Sequence, residues 1–195
     1  PDASRYDRVS YHFYPKLSER CGSTEGPEIA LTQEFLSRID EDKAFFEQLR
    51  DTYEPGAPMW ITEVAQAACG GDRWAAQYLD VIRYIDNLGR LATGDGDVVF
   101  HNTLAASDYG LIDEDGMEPR PNYWAAVLWQ RLMGPKVLEV GSGGEVDDLA
   151  VYAQCTPDDE PGVTYAVVNS SASEERTVTT STGAAEVYLL SSDAL

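Results

Sequence analysis

Three strand-then-helix units in succession constrain this chain more than any other feature of it. "RVSYHFYP" is an apolar run that reads as a buried strand. After a Gly/Ser/Pro-rich loop, Phe35, Leu36, Ile39, Phe45, Phe46 and Leu49 recur at helical spacing and predict one long helix. "PMWIT" predicts the second strand. Its helix runs from about Arg73 to Leu91, where Tyr78, Val81, Ile82, Ile85 and Leu88 keep an i, i+3, i+4, i+7 stripe on one face. "DVVFHNTL" predicts the third strand. Beyond a Gly/Asp-rich excursion from Ser107 to Asn122, "NYWAAVLWQRLMG" predicts a helix with Tyr123, Trp124, Val127, Leu128 and Leu132 on one face, ended by Gly134-Pro135. Strands this apolar, joined by helices, imply a parallel sheet, either an open doubly wound sheet or part of a (β/α)8 barrel. No Gly-rich phosphate loop follows any of them, which argues against a nucleotide-binding sheet.

After Pro135 the pattern changes to short alternating runs divided by turn residues: "KVLEV", "DLAVYAQC", "VTYAVVNS", "RTVTTS" and "AEVYLL". That predicts an antiparallel β-domain over 136–195 behind an α/β part over 1–135. At 195 residues the chain is long enough for one domain and part of another. It has 14 basic and 34 acidic residues, and the resulting net charge of −20 repels polyanions, so nucleic acid is not an expected partner. No apolar run approaches the length of a membrane span. The start, Pro1-Asp2-Ala3-Ser4-Arg5, is neither an initiator methionine nor a signal sequence, and the expectation is a segment cut from a longer polypeptide. Cys21, Cys69 and Cys155 match no zinc spacing and the two histidines lie far apart, so no metal is expected. Free or partly buried thiols are the favoured reading of the cysteines, with a Cys21–Cys69 pair left open.

In a parallel barrel the C-terminal strand ends converge on the active site. Three such ends offer polar side chains: His12 and Tyr14, then Glu63, then His101 with Asn102. Glu63 follows Trp60-Ile61-Thr62, where a carboxylate is partly desolvated and costly unless it is hydrogen-bonded or used, and Tyr14 on the neighbouring strand could donate that bond. A carboxylate placed rigidly at a strand end suits glycoside hydrolysis, in which one carboxylate attacks the anomeric carbon while a second carboxyl protonates the leaving oxygen. The second carboxyl is hard to find. Asp113, Glu114 and Asp115 read as solvated loop charge, and Glu139 and Glu145 are poorer candidates.

"YHFYP", "WITEVAQAACGG", "HNTLAASDYGLIDEDGMEPRPNYW" and "LWQRLMGPKVLEV", in this order and spacing, resemble the C-terminal half of glycoside hydrolase family 79, which contains heparanase and β-glucuronidases. The resemblance implies the last three βα units of a (β/α)8 barrel followed by the start of a C-terminal β-sandwich, and a retaining mechanism. It implies Glu63 as catalytic nucleophile, with Tyr14 and His12 beside it. It implies that the backbone N–H groups of Gly70 and Gly71, assisted by Tyr109, hold the uronate carboxylate of the substrate. Glycine lets the backbone approach closely, and neutral N–H donors bind a carboxylate without a positive side chain. The implied partners are a glucuronide or uronate-containing oligosaccharide or polysaccharide, and the N-terminal barrel half of the same polypeptide. No cofactor is implied, and secretion or a periplasmic location rests on the resemblance alone.

Three positions depart from the family pattern. Asn102 stands where Gln is common, Ser107 where a glycine of the substrate-binding loop is common, and Val64 follows Glu63 where Thr or a small residue is usual. The family's proton donor, a Glu after an Asn, has no counterpart in this sequence. The expected function is a β-glucuronidase-like retaining hydrolase whose acid/base Glu lies outside the chain. A heparanase-like endo-enzyme and an inactive uronate-binding protein are the alternatives. Few basic residues lie near the strand ends, chiefly Arg73 and Arg120, which favours the exo-acting enzyme over one that cleaves sulfated heparan.

Overall fold

The computed structural model describes residues 6–93, 98–141, 147–157, 161–180, 183 and 185–192. Strands β1 (Val9–Phe13), β2 (Met59–Val64) and β3 (Val98–His101) form a parallel sheet in that order. Tyr11, Phe13, Met59, Ile61 and Val64 point to one face and close over Ile39, Phe46 and Leu91 of the helices α2 (Arg38–Tyr53) and α3 (Leu79–Ala92). Phe46 stacks on Tyr11 with ring centroids 4.3 Å apart. Each such side chain taken from water stabilises the sheet by roughly 1.5–3 kcal/mol, which is why α2 and α3 cover this face. The opposite face carries Ser10, His12, Trp60, Val98 and Phe100, and among the described residues no helix covers it. Trp60 and Phe100 pair there at 5.9 Å, under the Arg8 guanidinium.

The helices are more broken than periodicity predicts. The long helix is two: α1 (Gln33–Leu36), capped by Thr32 accepting from the Phe35 N–H, and α2 (Arg38–Tyr53). Ile39 is buried, but Phe45 is 56% exposed and Leu49 37%, so the expected stripe thins out along α2. The helix expected from Arg73 divides likewise into a 3-10 turn, Arg73–Ala76, and α3 (Leu79–Ala92), because Gln77 adopts an extended conformation between them. α4 (Pro121–Leu132) begins with proline at its first position, where the missing N–H costs nothing, and packs Ala125 against Val81 and Tyr84 of α3. Asn122 reaches from α4 to the buried Asp80 of α3, which Arg83 holds in a bidentate pair.

The second sheet is antiparallel, β4 (Val137–Leu138), β5 (Leu149–Cys155) and β6 (Val163–Asn169). Tyr152 of β5 joins it to α3 by donating to Asp86 at 2.6 Å, and its ring lies directly on the α-carbon of Gly89. Of the five runs expected to be strands, "KVLEV" contributes only Val137–Leu138. "AEVYLL" and the described part of "RTVTTS" form no strand, although the Tyr78 hydroxyl donates to the carbonyl of Leu190 at 2.5 Å. Alternation predicts a strand only where a partner edge is present to pair with, and Val187 and Leu189 here stand 82% exposed.

The expectation of free thiols is corrected in part. Cys21 and Cys69 form a disulfide between the loops that follow β1 and β2, and Cys155 is free. The 48-residue separation hid the pairing; the parallel register of β1 and β2 brings the two loops together. Pro1 to Arg5 and Glu145 lie outside the described residues. No described helix is long and apolar enough to cross a membrane.

Candidate active site

Glu63 owes its position to a bulge. Met59 and Ile61 alternate onto the helix-covered face, and strict alternation would send Glu63 after them into an apolar core, where an unpaired carboxylate costs several kcal/mol. The register between β1 and β2 shifts instead: Tyr11 pairs with Ile61, but the next residue, His12, pairs with Glu63. Thr62 is the extra residue, and its hydroxyl donates to the Tyr11 carbonyl at 3.3 Å. The shift re-phases the strand, so Val64 takes the core side and Glu63 joins His12 on the uncovered face.

There the Tyr14 hydroxyl donates to Glu63 Oε2 at 2.6 Å, and His12 Nδ1 lies 3.3 Å from the same oxygen. Among the described residues Oε1 has no hydrogen-bond partner, and the Glu63 side chain is 39% exposed. The Asn102 amide donates to the Tyr14 oxygen at 2.6 Å and reaches the Tyr109 hydroxyl at 3.4 Å. Burial first, and then the hydrogen bond to Glu63, push the Tyr14 hydroxyl above the ordinary tyrosine range. Tyr14 therefore stays protonated and donates to the carboxylate at any working pH.

His101 does not join this group. Its strand phase turns it to the helix side, where the ring meets Tyr84 of α3 edge-on at 5.2 Å and Nε2 donates to the Tyr109 carbonyl at 2.8 Å. Since a carbonyl only accepts, Nε2 carries the proton. Burial, opposed by that hydrogen bond and assisted by the nearby Arg83, lowers the imidazole pKa to about 4, so the ring is neutral.

Gly70 and Gly71 follow β2 in left-handed conformations, with φ of +85° and +76°, and Cys69 before them has φ +68°. A side chain on Gly71 would bring its Cβ to 2.9 Å from the Tyr109 ring, so two independent constraints require glycine there. Ser107 has φ +63°, which is the physical reason for expecting glycine at that position. Arg120 donates to the carbonyls of Ser107, Asp108 and Gly110 and pairs with Asp113, so it serves the loop that carries Tyr109. Arg73 is exposed. Sequence reasoning missed Arg20, whose guanidinium bridges the Gly70 carbonyl and the Asp108 carboxylate. It also missed the buried pair Lys16–Asp72, 2.9 Å apart, which closes the turn behind Gly71. Nothing in composition singles out these residues; only the loop pairing does. Among the described residues no three His, Cys, Asp or Glu side chains are grouped to hold a metal ion.

No protein-family model matches the chain. Heparanase-like protein 1 of Arabidopsis thaliana is 32% identical over 181 residues, which are 91% of this chain and 32% of that protein. Baicalin-beta-D-glucuronidase of Scutellaria baicalensis is 32% identical over 146 residues, 73% of this chain and 27% of that protein. Inactive heparanase-2 of Homo sapiens is 30% identical over 141 residues, 65% of this chain and 23% of that protein. The chain thus spans about a third or less of the length of these relatives. These likenesses, which in the first case extend over 91% of the chain, make it similar to heparanase, heparanase-like and β-glucuronidase proteins, consistent with glycoside hydrolase family 79.

Proposed function

We propose that the chain is the nucleophile-bearing part of a retaining β-glucuronidase. The observation that carries this reading is the asymmetric seat of Glu63: both protein contacts fall on Oε2, leaving Oε1 without a hydrogen-bond partner among the described residues on a half-exposed side chain. In this reading Oε1 attacks the anomeric carbon and forms a glycosyl-enzyme ester. Tyr14 steadies the carboxylate throughout, through a bond anchored by Asn102. A second carboxyl from outside these residues protonates the leaving oxygen and then activates water, at the roughly 5 Å carboxyl separation of retaining enzymes. The N–H groups of Gly70 and Gly71, with Tyr109, hold the uronate carboxylate, and His12 lines the same site.

Residues 1–135 are, in this proposal, the C-terminal part of a (β/α)8 barrel, and residues 136–195 the start of a β-sandwich. The apolar side chains Trp60, Val98 and Phe100 on the uncovered face support it, because barrel strands bury both faces. An N-terminal barrel half of the same polypeptide would cover them. The substrate class is a β-linked glucuronide. Exo action is favoured over cleavage within sulfated heparan because Arg20 and Arg120 are both engaged by loop carbonyls and carboxylates, and the chain carries a net charge of −20. The likeness to an inactive heparanase-2 supports a second reading, a protein that binds uronates without turnover.

Treating the full polypeptide that contains these residues with a glucuronate-configured epoxide or aziridine inactivator, followed by intact mass and peptide mapping, separates the two. The expected result is one adduct, on Glu63, absent from Glu63→Gln. Protein that binds a glucuronate-configured iminosugar but takes no adduct favours the binding-only reading. An adduct on another carboxylate removes Glu63 from the mechanism.

A further inference from the structure

The loop after β1 reaches across to the loop after β2 and contacts it through four kinds of bond. The Ser18 N–H donates to the Ala68 carbonyl at 3.0 Å and the Ala68 N–H to the Lys16 carbonyl at 2.9 Å, a short parallel ladder beyond the strands. Cys21 and Cys69 close a disulfide. Asp72 accepts from the buried Lys16 ammonium at 2.9 Å and from the Glu19 N–H at 2.7 Å. The remaining two contacts fall on carbonyls within the glycine turn itself. The Ser18 hydroxyl donates to the Cys69 carbonyl at 3.0 Å, and Arg20 donates to the Gly70 carbonyl at 3.3 Å, an oxygen that also accepts from the Asp108 N–H at 3.0 Å.

These two carbonyls matter because of peptide planarity. In a trans peptide the carbonyl and the following N–H point in opposite directions and rotate as one unit. Both peptides are trans. Holding the Cys69 oxygen therefore aims the Gly70 N–H, and holding the Gly70 oxygen aims the Gly71 N–H. Neither N–H donates to a protein acceptor among the described residues. Two adjacent peptides, each free to flip because glycine has no Cβ, are thus clamped from behind by side chains of a different loop.

We infer that Ser18 and Arg20 are positioning residues that set the specificity of the site for a uronate carboxylate, by fixing the direction of the Gly70 and Gly71 N–H groups. The inference rests on the proposed reading that these two N–H groups hold that carboxylate. Arg20 acts through the peptide rather than as a counter-charge, since its guanidinium is already paired with Asp108. The ladder, the disulfide and the Lys16–Asp72 pair keep the clamping loop in register, and Asp108 links the clamp to the loop that carries Tyr109.

The test compares two iminosugars, one glucuronate-configured and one glucose-configured, which differ only in the C6 group. Their affinities are measured by titration calorimetry on the full polypeptide for wild type, Ser18→Ala, Arg20→Ala and Arg20→Lys. The expected result is a wild-type preference for the glucuronate form that falls about tenfold in Ser18→Ala and in Arg20→Ala, the loss of well-aimed charge-assisted hydrogen bonds. Arg20→Lys, which keeps a donor for the Gly70 carbonyl, restores part of it. A wild-type preference that survives in both alanine variants overturns the clamp and leaves the glycine reading standing. Loss of both ligands in parallel also overturns it, since that marks a merely structural role. Equal affinities in the wild type refute the glycine reading itself, and the clamp falls with it.

Discussion

Acidification loads a proton onto His101, and the structure states what that proton costs. The ring is neutral with its proton on Nε2, given to the Tyr109 carbonyl. A second proton must go to Nδ1, which is buried, has no partner among the described residues, and lies near the Arg83 guanidinium. The folded-state pKa of about 4 lies below the ordinary 6.5, so between these values the unfolded chain binds one proton more than the folded one. Stability from this group is complete above pH 6.5 and falls by about 1.4 kcal/mol per pH unit below it. It levels off below pH 4, with a total loss of about 3 to 4 kcal/mol. At pH 4.5 the loss is about 2 to 3 kcal/mol. Urea unfolding of wild type and His101→Gln at pH 7.5 and 4.5 isolates it, because the other titrating groups cancel in the difference. Glutamine keeps an N–H for the Tyr109 carbonyl and cannot titrate. Wild type should lose about 2 to 3 kcal/mol more than the variant on acidification. Parallel losses would refute the assignment of a buried neutral imidazole whose Nδ1 lacks a partner.

Two further substitutions probe the carboxylate seat and the junction between the sheets. On the proposed reading, Tyr14→Phe in the full polypeptide removes the donor to Glu63 Oε2 and the anchor that Asn102 supplies, so kcat/KM on an aryl glucuronide should fall about 10- to 100-fold, mostly in kcat; an unchanged kcat would mean that Tyr14 does not support the reacting carboxylate. Gly89→Ala gains about 1 kcal/mol of helix propensity but drives a methyl into the Tyr152 ring and dislodges its bond to Asp86. Overpacking of about 1–3 kcal/mol plus the lost bond should leave a net destabilisation of about 2–4 kcal/mol, read as a lower unfolding midpoint. A raised midpoint would show that the ring can move aside.

Much of this protein is legible along one dimension. Apolar spacing locates β1, β2, β3, α3 and α4, because a helix stripe and a buried strand each need only their own residues to declare themselves. Motif likeness groups His12, Tyr14, Glu63, Asn102 and Tyr109; in the structure hydrogen bonds and close approach link the first four at neighbouring strand ends, and Tyr109 reaches Asn102 from the loop after β3. What the chain does not show locally is how two distant segments meet. The bulge at Thr62 decides which face receives Glu63, and it exists only in the register between two strands. The same register brings Cys21 to Cys69, Ser18 to the Cys69 carbonyl and Arg20 to Gly70, none of which has a spacing to announce it. Strand phase sends His101 to the helix side while its neighbour Asn102 reaches Tyr14, so adjacent residues serve opposite faces. "AEVYLL" has the alternation of a strand and forms none, because a strand is completed by the edge it pairs with. Local sequence decided where the βα elements lie and which side chains they carry; the pairing of loops and strands in space decided which strand runs pair and where that chemistry points.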